Sequence, residues 1–429
     1  MKASEYNIFV RSDSNEGNYL LANTLTGAVF RLSDEEKMAL EEGGFFELPK
    51  EKIDEYFLNG ILVNDDVDER SKLVYFHNRD KYNLDTLSLT ILLTHYCNFE
   101  CTYCYEGEKK VNQSLTDEVR ERIYRFIQTM LNFHKDMKTV SIILFGGEPL
   151  MYFEENLEWL YSIKDLCEKS GKRFITSIVT NGSLLTPERI KHLKRLNCTS
   201  IQLTLDGCKR IHDERRIYKN GKGTYDVVLN AIKMVCKTKD FIRPTIRINI
   251  DKENAGTIKE LLSDLQKKDL LNKSYLYFGI IRDDHEEKDF SELELGNALK
   301  PLWSLFRKFD CSFNVRPVRR SMFCGLCKEM SFTITPSGEV FKCWEFVGDS
   351  NFRVGDLQEN GDLITTDAYY IWQSRDFKDI KECKFCKYLP VCGGGCASVS
   401  RKNYGNIYSP GCLETKGIFE EQIKFYFDV

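Results

Sequence analysis

The sequence predicts an α/β protein: an open, partial (β/α)6 barrel, preceded by a winged-helix-like module and followed by a cysteine-rich C-terminal region. Three observations carry this expectation. Six apolar runs alternate with helical stretches between residues 87 and 281. Three short strand-like runs and two helix-start signals come before them. Residues 321–412 gather cysteine and glycine without any long periodic segment.

The six runs are 87–93, 139–145, 173–180, 200–205, 245–250 and 275–281. Continuous apolar runs of this length read as parallel strands buried on both faces. Helical stretches lie between them, one opening at Thr186 with Pro187 in its first turn. Repeated βα units give a parallel sheet with helices outside. Six units are too few to close an eight-stranded barrel, so an open form is expected, with its active site at the C-terminal ends of the strands.

Residues 1–85 form a separate module by the same reading. Runs 6–11, 18–23 and 28–32 read as short strands, with Gly17 and Gly27 in the turns. Ser33 and Glu36 make a capping-box pattern that opens a helix toward Glu42. Pro49 opens a second helix that ends near Gly60. Residues 86–300 are then the barrel and 301–429 the C-terminal region.

Composition narrows the function. A net charge of −4 and a pI near 6.0 leave no strongly basic domain, so nucleic acid is a poor partner. No run of 18 apolar residues suggests a membrane span. Met1 to Val10 lacks a cationic stretch followed by an apolar one, so a cytoplasmic location with reduced thiols is expected. Sixteen cysteines are then better read as metal ligands than as disulfides, and eleven of them fall into tight groups.

The first group is Cys97-x3-Cys101-x-Tyr103-Cys104, directly after the first barrel strand. Three such thiolates can hold three irons of a four-iron cluster and leave the fourth iron open to a substrate. Zinc is the alternative, but it usually takes a fourth Cys or His nearby. His95 is the candidate for that place, at too short a spacing for a common finger.

On this motif the chain resembles radical S-adenosylmethionine enzymes, whose fold is a partial TIM-like barrel. The resemblance continues through Gly146-Gly147-Glu148-Pro149, Asn181-Gly182, Thr204-Leu205-Asp206-Gly207 and Asn249, each at a strand end in order. It implies that Gly146, Gly147, Glu148 and Pro149 hold the methionine amino group. Asn181 would then face the ribose hydroxyls and Asn249 the nucleoside, with Thr204, Asp206 and Tyr103 also among the cofactor-binding residues. Arg216, two residues beyond His212-Asp213-Glu214, is the choice for the methionine carboxylate, with Arg215 as its competitor. In that family the open iron binds S-adenosylmethionine, and reductive cleavage yields a 5′-deoxyadenosyl radical. No catalytic acid or base stands out among the many carboxylates.

The C-terminal cysteines match the signature of the SPASM extension: Cys383-x2-Cys386-x5-Cys392-x3-Cys396, then Cys412, preceded by Cys324-x2-Cys327 and Cys343. The resemblance implies two further four-iron clusters, three in all. One would use Cys324, Cys327, Cys343 and Cys396; the other Cys383, Cys386, Cys392 and Cys412. With Cys324 present the former is expected to be fully ligated, leaving both to carry electrons or shape the pocket. Cys167, Cys198, Cys208, Cys236 and Cys311 lack metal spacing and read as small buried hydrophobes.

Relatives with this layout act on ribosomally made peptides, installing thioether or carbon–carbon cross-links. The partners implied are a precursor peptide with its leader and a low-potential reductant such as flavodoxin or ferredoxin. Residues 1–85 resemble the leader-recognition element of such enzymes. An anaerobic sulfatase maturase, which oxidises Cys or Ser to formylglycine, is the competing reading; it does not usually carry such a module.

Overall fold

The computed structural model describes residues 1–13, 18–106, 112–281, 292–412 and 415–427. The turn expected at Gly17 lies outside them. Fifteen strands are described. In the N-terminal module they are β1 (Lys2–Ala3), β2 (Asn7–Arg11), β3 (Tyr19–Asn23), β4 (Val29–Leu32) and β5 (Leu62–Val63). The barrel strands are β6 (Thr86–Thr94), β7 (Thr139–Gly146), β8 (Arg173–Val179), β9 (Cys198–Thr204), β10 (Thr245–Ile250) and β11 (Tyr275–Ile280). The C-terminal strands are β12 (Ser331–Ile334), β13 (Glu339–Phe341), β14 (Arg353–Leu357) and β15 (Leu363–Thr365).

Strands β6 to β11 pair in parallel, each with its chain neighbour, as the repeated βα units require. Leu87, Leu89, Ile91, Val140, Ile142, Ile201, Leu203, Ile246 and Ile248 are fully buried, because helices cover the outer face of the sheet. The helix Pro187–Arg195 starts as its signals indicate, with the Thr186 side chain accepting from the Arg189 amide.

The sheet does not stop with the barrel. β12 lies parallel beside β6, and β13, β14 and β15 continue antiparallel, giving ten strands in all. The expected boundary at residue 300 falls within a helix, Glu292–Lys308, which packs against the C-terminal helix Lys416–Phe427.

In the N-terminal module, β2, β3 and β4 form an antiparallel sheet and both helices form as expected, Asp34–Glu42 behind its capping box and Lys50–Leu58 after Pro49. One face of the sheet packs on those helices through Leu21, Leu32, Leu40, Phe45 and Tyr56. The other face carries Ile8, Val10, Leu20 and Ala22, which meet Val391, Phe419 and Ile423. The module therefore packs on the cysteine-rich region. A third helix, Glu69–Lys81, leads from the module to the barrel, and its buried residues are Glu69, Leu73, His77 and Lys81. Among the described residues no helix is long and apolar enough to cross a membrane.

Candidate functional site

The ends of β6 to β10 converge on one constellation, and the 97–104 loop lies across it. The loop runs against residues 215–219: Glu100 N donates to Ile217 O at 2.7 Å, and Thr102 N to Arg215 O at 3.0 Å. Cys97 is buried, while Cys101 and Cys104 are half-buried. Cys97 Sγ accepts from the Phe99 amide at 3.4 Å and from Asn181 Nδ2 at 3.9 Å. Asn181 Nδ2 also donates to Asn98 Oδ1 at 2.8 Å, so the end of β8 fixes the start of the loop.

The glycines after β7 serve this packing. A Cβ on Gly146, whose φ is +114°, would stand 2.2 Å from Thr94 O; one on Gly147 would stand 2.4 Å from Tyr96 O. The close approach is thus to the 94–96 backbone, where Gly147 N and Glu148 N each donate at 3.0 Å, to Thr94 O and Tyr96 O. Glu148 is fully buried and accepts from Thr180 Oγ1 (2.7 Å), Asn181 N (2.7 Å) and Leu150 N (3.0 Å). Those bonds use three of about four carboxylate lone-pair positions. Burial still pushes Glu148 above the ordinary carboxylate value, against these donors. Pro149, also buried, opens the short turn Pro149–Tyr152 beneath it.

Tyr103 is the hub of the opposite side. Its hydroxyl donates to Asp206 Oδ2 and accepts from Arg216 Nη1 at 2.6 Å and Asn249 Nδ2 at 3.1 Å. Asp206 is fully buried and accepts again from the Asn249 amide at 2.9 Å. Burial raises its carboxyl above the usual range, with Arg216 pulling the other way. Thr204 is buried at the end of β9, in register with Arg247 of β10. Behind these residues, His212 Nδ1 accepts from the Asp206 amide at 3.3 Å. Its Nε2–H then donates to Thr224 Oγ1 at 3.1 Å, and Thr224 donates to Arg216 O at 2.6 Å. Burial holds His212 well below its ordinary value, so it is neutral.

The two arginines divide their duties. Arg215 Nη1 pairs with both Asp251 oxygens, at 3.0 Å and 2.9 Å, and its guanidinium lies 5.2 Å from the Tyr103 ring centre. Arg216 is buried, which works against its charge, but Cys101, Tyr103 and Asp206 together hold it protonated. Arg215 Nε and Nη2 and Arg216 Nε are buried with no hydrogen-bond partner. Orphaned guanidinium nitrogens, those of Arg216 near the Cys101 thiol, suit an anionic ligand such as a carboxylate. Arg216 is the one aimed at the thiol loop; Arg215 is tied to Asp251.

The C-terminal cysteines gather as two sets. Cys324 and Cys327 Sγ lie 4.0 Å apart, and Cys324 feels both Cys327 and Cys343. Cys343, whose thiol is raised by burial, also feels Cys396. Cys383 is pushed up to about 12 by burial, with Cys392, Cys412 and Cys386 adding to the shift. The neighbours run among Cys324, Cys327, Cys343 and Cys396 on one side and among Cys383, Cys386, Cys392 and Cys412 on the other. The turn at Gly393, Gly394 and Gly395 has φ of +67°, +92° and +74°, and a Cβ on Gly393 or Gly395 would collide with the backbone of Met322 or Gly411. The glycines thereby let the segments carrying Cys324, Cys396 and Cys412 come together. Among the described residues no three Cys, His, Asp or Glu side chains converge closely enough for a single metal ion. A donor set of thiols alone, in fours, suits iron–sulfur clusters.

Of the other cysteines, Cys167 and Cys198 are buried and their thiols are pushed up to about 12 by burial. Cys208, Cys236 and Cys311 are only half-buried, a correction to the expectation that all five are core residues. Each sits at or near the end of a helix, where packing is incomplete. His212 and Thr224 were given no role by the sequence, and Thr180, read with Asn181 and Gly182 as a turn suited to ribose hydroxyls, donates instead to Glu148. A His on the helix after the β9 strand end was the one available signal.

Residues 91–265 match the family described as the Radical SAM superfamily. The cysteine-type anaerobic sulfatase-maturating enzyme of Clostridium perfringens is 26% identical over 345 residues, 70% of this chain and 85% of that protein. The radical SAM cyclopropyl synthase TigE of Paramaledivibacter caminithermalis is 23% identical, over 83% of this chain and 78% of that one. Among solved structures, native anSMEcpe with bound AdoMet and Cp18Cys peptide aligns with a TM-score of 0.61 at 21% identity, covering 80% of this chain and 97% of its own. Streptococcus suis SuiB bound to precursor peptide SuiA aligns at 0.55 and 18% identity, covering 97% and 99%. At these identities both structures speak for a shared fold.

Proposed function

We propose, from the premise that residues 91–265 make this chain a radical S-adenosylmethionine enzyme, that it abstracts hydrogen from a ribosomally made peptide and closes a thioether or carbon–carbon cross-link in it. The observation that carries the reading is the N-terminal module. The anSMEcpe fold leaves a fifth of this chain uncovered, about the size of residues 1–85, whereas the SuiB fold covers 97% of it. SuiB was solved with a precursor peptide, which supports a peptide as the substrate here.

Held by Cys97, Cys101 and Cys104, a four-iron cluster with one open iron would supply the electron that splits S-adenosylmethionine into methionine and a 5′-deoxyadenosyl radical. The chain's own residues bind and orient. Arg216 and the free nitrogens of Arg215 offer charge to the methionine carboxylate. The last lone-pair position of Glu148 is available to the ammonium. Asn181, Thr204, Asp206 and Asn249 shape a buried floor that excludes water from a reactive radical. Eight further thiols would hold two more clusters, about twelve irons in all with the first. β4 is an edge strand whose Val29, Phe30 and Arg31 are half-exposed, and a leader could add to it through main-chain hydrogen bonds.

The competing reading is oxidation of Cys or Ser to formylglycine, favoured by the 26% identity to a sulfatase-maturating enzyme. Mass spectrometry of candidate precursor peptides incubated with reduced enzyme separates the two. A cross-link removes two hydrogens and resists thiol alkylation where a cysteine is joined. A new aldehyde that reacts with hydrazide, in place of a cross-link, would replace the first reading by the second.

A further inference from the structure

Three basic side chains are buried near Cys327, one of the thiols of the set Cys324, Cys327, Cys343 and Cys396. Lys342 is 1% exposed, Lys81 2% and Arg375 9%. Lys342 Nζ donates to Lys328 O at 2.8 Å and Glu329 O at 3.0 Å, the two residues that follow Cys327. Lys81 Nζ donates to Gln373 O at 2.5 Å and Arg375 O at 3.1 Å. Arg375 donates through Nε to Ile407 O and through Nη2 to Gly394 O at 3.1 Å, two residues before Cys396. The Cys327 thiol feels Arg375 and Lys342, and Lys81 in turn feels Cys327.

Lysine is almost never this deeply buried without a counter-charge. Carbonyl oxygens satisfy the N–H groups of these two lysines but bring no charge. Asp376 near Lys81 and Glu329 near Lys342 favour the charged forms, but burial outweighs them in both lysines, and both acids are shared. Asp376 lies 3.1 Å from Lys378 and 3.5 Å from His77, and Glu329 accepts from the Tyr369 hydroxyl. The second thiol set is built differently. Arg375 reaches Cys383, but Cys392 faces the Thr415 hydroxyl and the amides of Gly394 and Gly395, all neutral donors.

We propose that Lys81, Lys342 and Arg375 form a buried cationic collar that balances the charge of an anionic metal–thiolate cluster at Cys324, Cys327, Cys343 and Cys396, and that holds its reduction potential above that of the cluster at Cys383, Cys386, Cys392 and Cys412. The inference rests on the reading that both thiol sets hold four-iron clusters. Such a cluster with four thiolates is a dianion when oxidised. Reduction adds one electron, makes or breaks no bond, and increases the negative charge. Fixed positive charge nearby in a dry setting therefore favours the reduced form. Lys81 contributes from the helix that leaves the N-terminal module, so the module's connection to the barrel also completes the surroundings of this cluster.

The test is a dithionite titration of the anaerobically reconstituted full chain, followed by electron paramagnetic resonance. The signal lost in Cys343→Ala identifies the cluster concerned. Lys81→Met and Lys342→Met are expected to shift that cluster's redox equilibrium at least tenfold toward the oxidised form, about 59 mV for one electron. Signals of the other clusters should stay in place, and Lys81→Arg should titrate like the wild type. If a Met variant fails to fold, Lys342→Gln keeps a carbonyl-facing N–H without the charge and is expected to shift the same way. An unmoved potential in the charge-removing variants, or equal shifts of all clusters, overturns the collar. Iron analysis separates this from failure of the underlying reading: wild-type protein that binds no iron beyond the first cluster defeats the cluster assignment itself.

Discussion

The barrel mouth and the cysteine-rich region both offer thiols, but they are built on opposite plans. At the mouth, three thiols ride on a loop that the rest of the protein holds in place. Asn181, Tyr103, Gly147 and residues 215–219 grip it by hydrogen bonds and close backbone contact. Those grips come from a fully packed parallel sheet with an apolar core. The C-terminal region is assembled differently. Its strands are three to five residues long, and its segments meet through glycine turns at the thiols themselves. The first thiols are displayed by a packed sheet, whereas the others lie where short loop segments meet.

The sharpest way to break this comparison is to remove thiols from each side. Cys392→Ala is expected to cost about four irons per chain and to lower the Tm strongly, because structural metal sites contribute folding free energy outright. The triple variant Cys97→Ala, Cys101→Ala, Cys104→Ala should lose a similar amount of iron yet keep a Tm near that of the wild type. Iron assay and calorimetry on the two proteins decide it. Equal destabilisation would mean that the mouth also depends on its metal.

The arginine pair sharpens the same distinction within the mouth. Arg215→Ala strands Asp251 as a buried unpaired charge and should cost about 3–5 kcal/mol of stability. Arg216→Gln should change stability far less but raise the KM for S-adenosylmethionine at least tenfold. Denaturation curves beside steady-state kinetics test the division, and the reverse pattern would exchange the two roles. Tyr103→Phe is next in size. It leaves the Arg216 and Asn249 donors and the Asp206 acceptor without their shared partner, a loss of about 1–3 kcal/mol.

The smallest effect is on pH. His212 is held neutral in the fold, below its unfolded value of about 6.5. The unfolded chain therefore takes up a proton that the folded chain refuses. Stability is complete above about pH 6.5 and is lost as the pH falls below it, at up to about 1.4 kcal/mol per pH unit. His212→Gln should flatten this acid limb in urea titrations between about pH 6.5 and 5. An unchanged limb would show that His212 is protonated in the fold.

Much of this was legible from residue order. All six barrel runs became strands within two residues of their expected ends, because buried parallel strands are continuously apolar. What stayed hidden had physical reasons. The helix Glu69–Lys81 buries Glu69, Leu73, His77 and Lys81 along one stripe, and a stripe that is mostly polar carries no hydropathy period. The helix Glu292–Lys308 runs through Pro301, which in sequence reads as a stop. Strands β12 to β15 are too short to show alternation. The glycines of the 146–147 turn were expected to make room for a ligand, whereas their immediate neighbour is the 94–96 backbone, a contact that no local pattern reveals.

The loop at residues 97–104 is tested most directly by one assay. Anaerobically reconstituted, dithionite-reduced protein is incubated with S-adenosylmethionine, and 5′-deoxyadenosine is quantified by liquid chromatography. The wild type should form it, and the Cys97, Cys101, Cys104 triple-alanine variant, folded and with its C-terminal thiols intact, should form none. Product from the triple variant at the wild-type rate would contradict the claim.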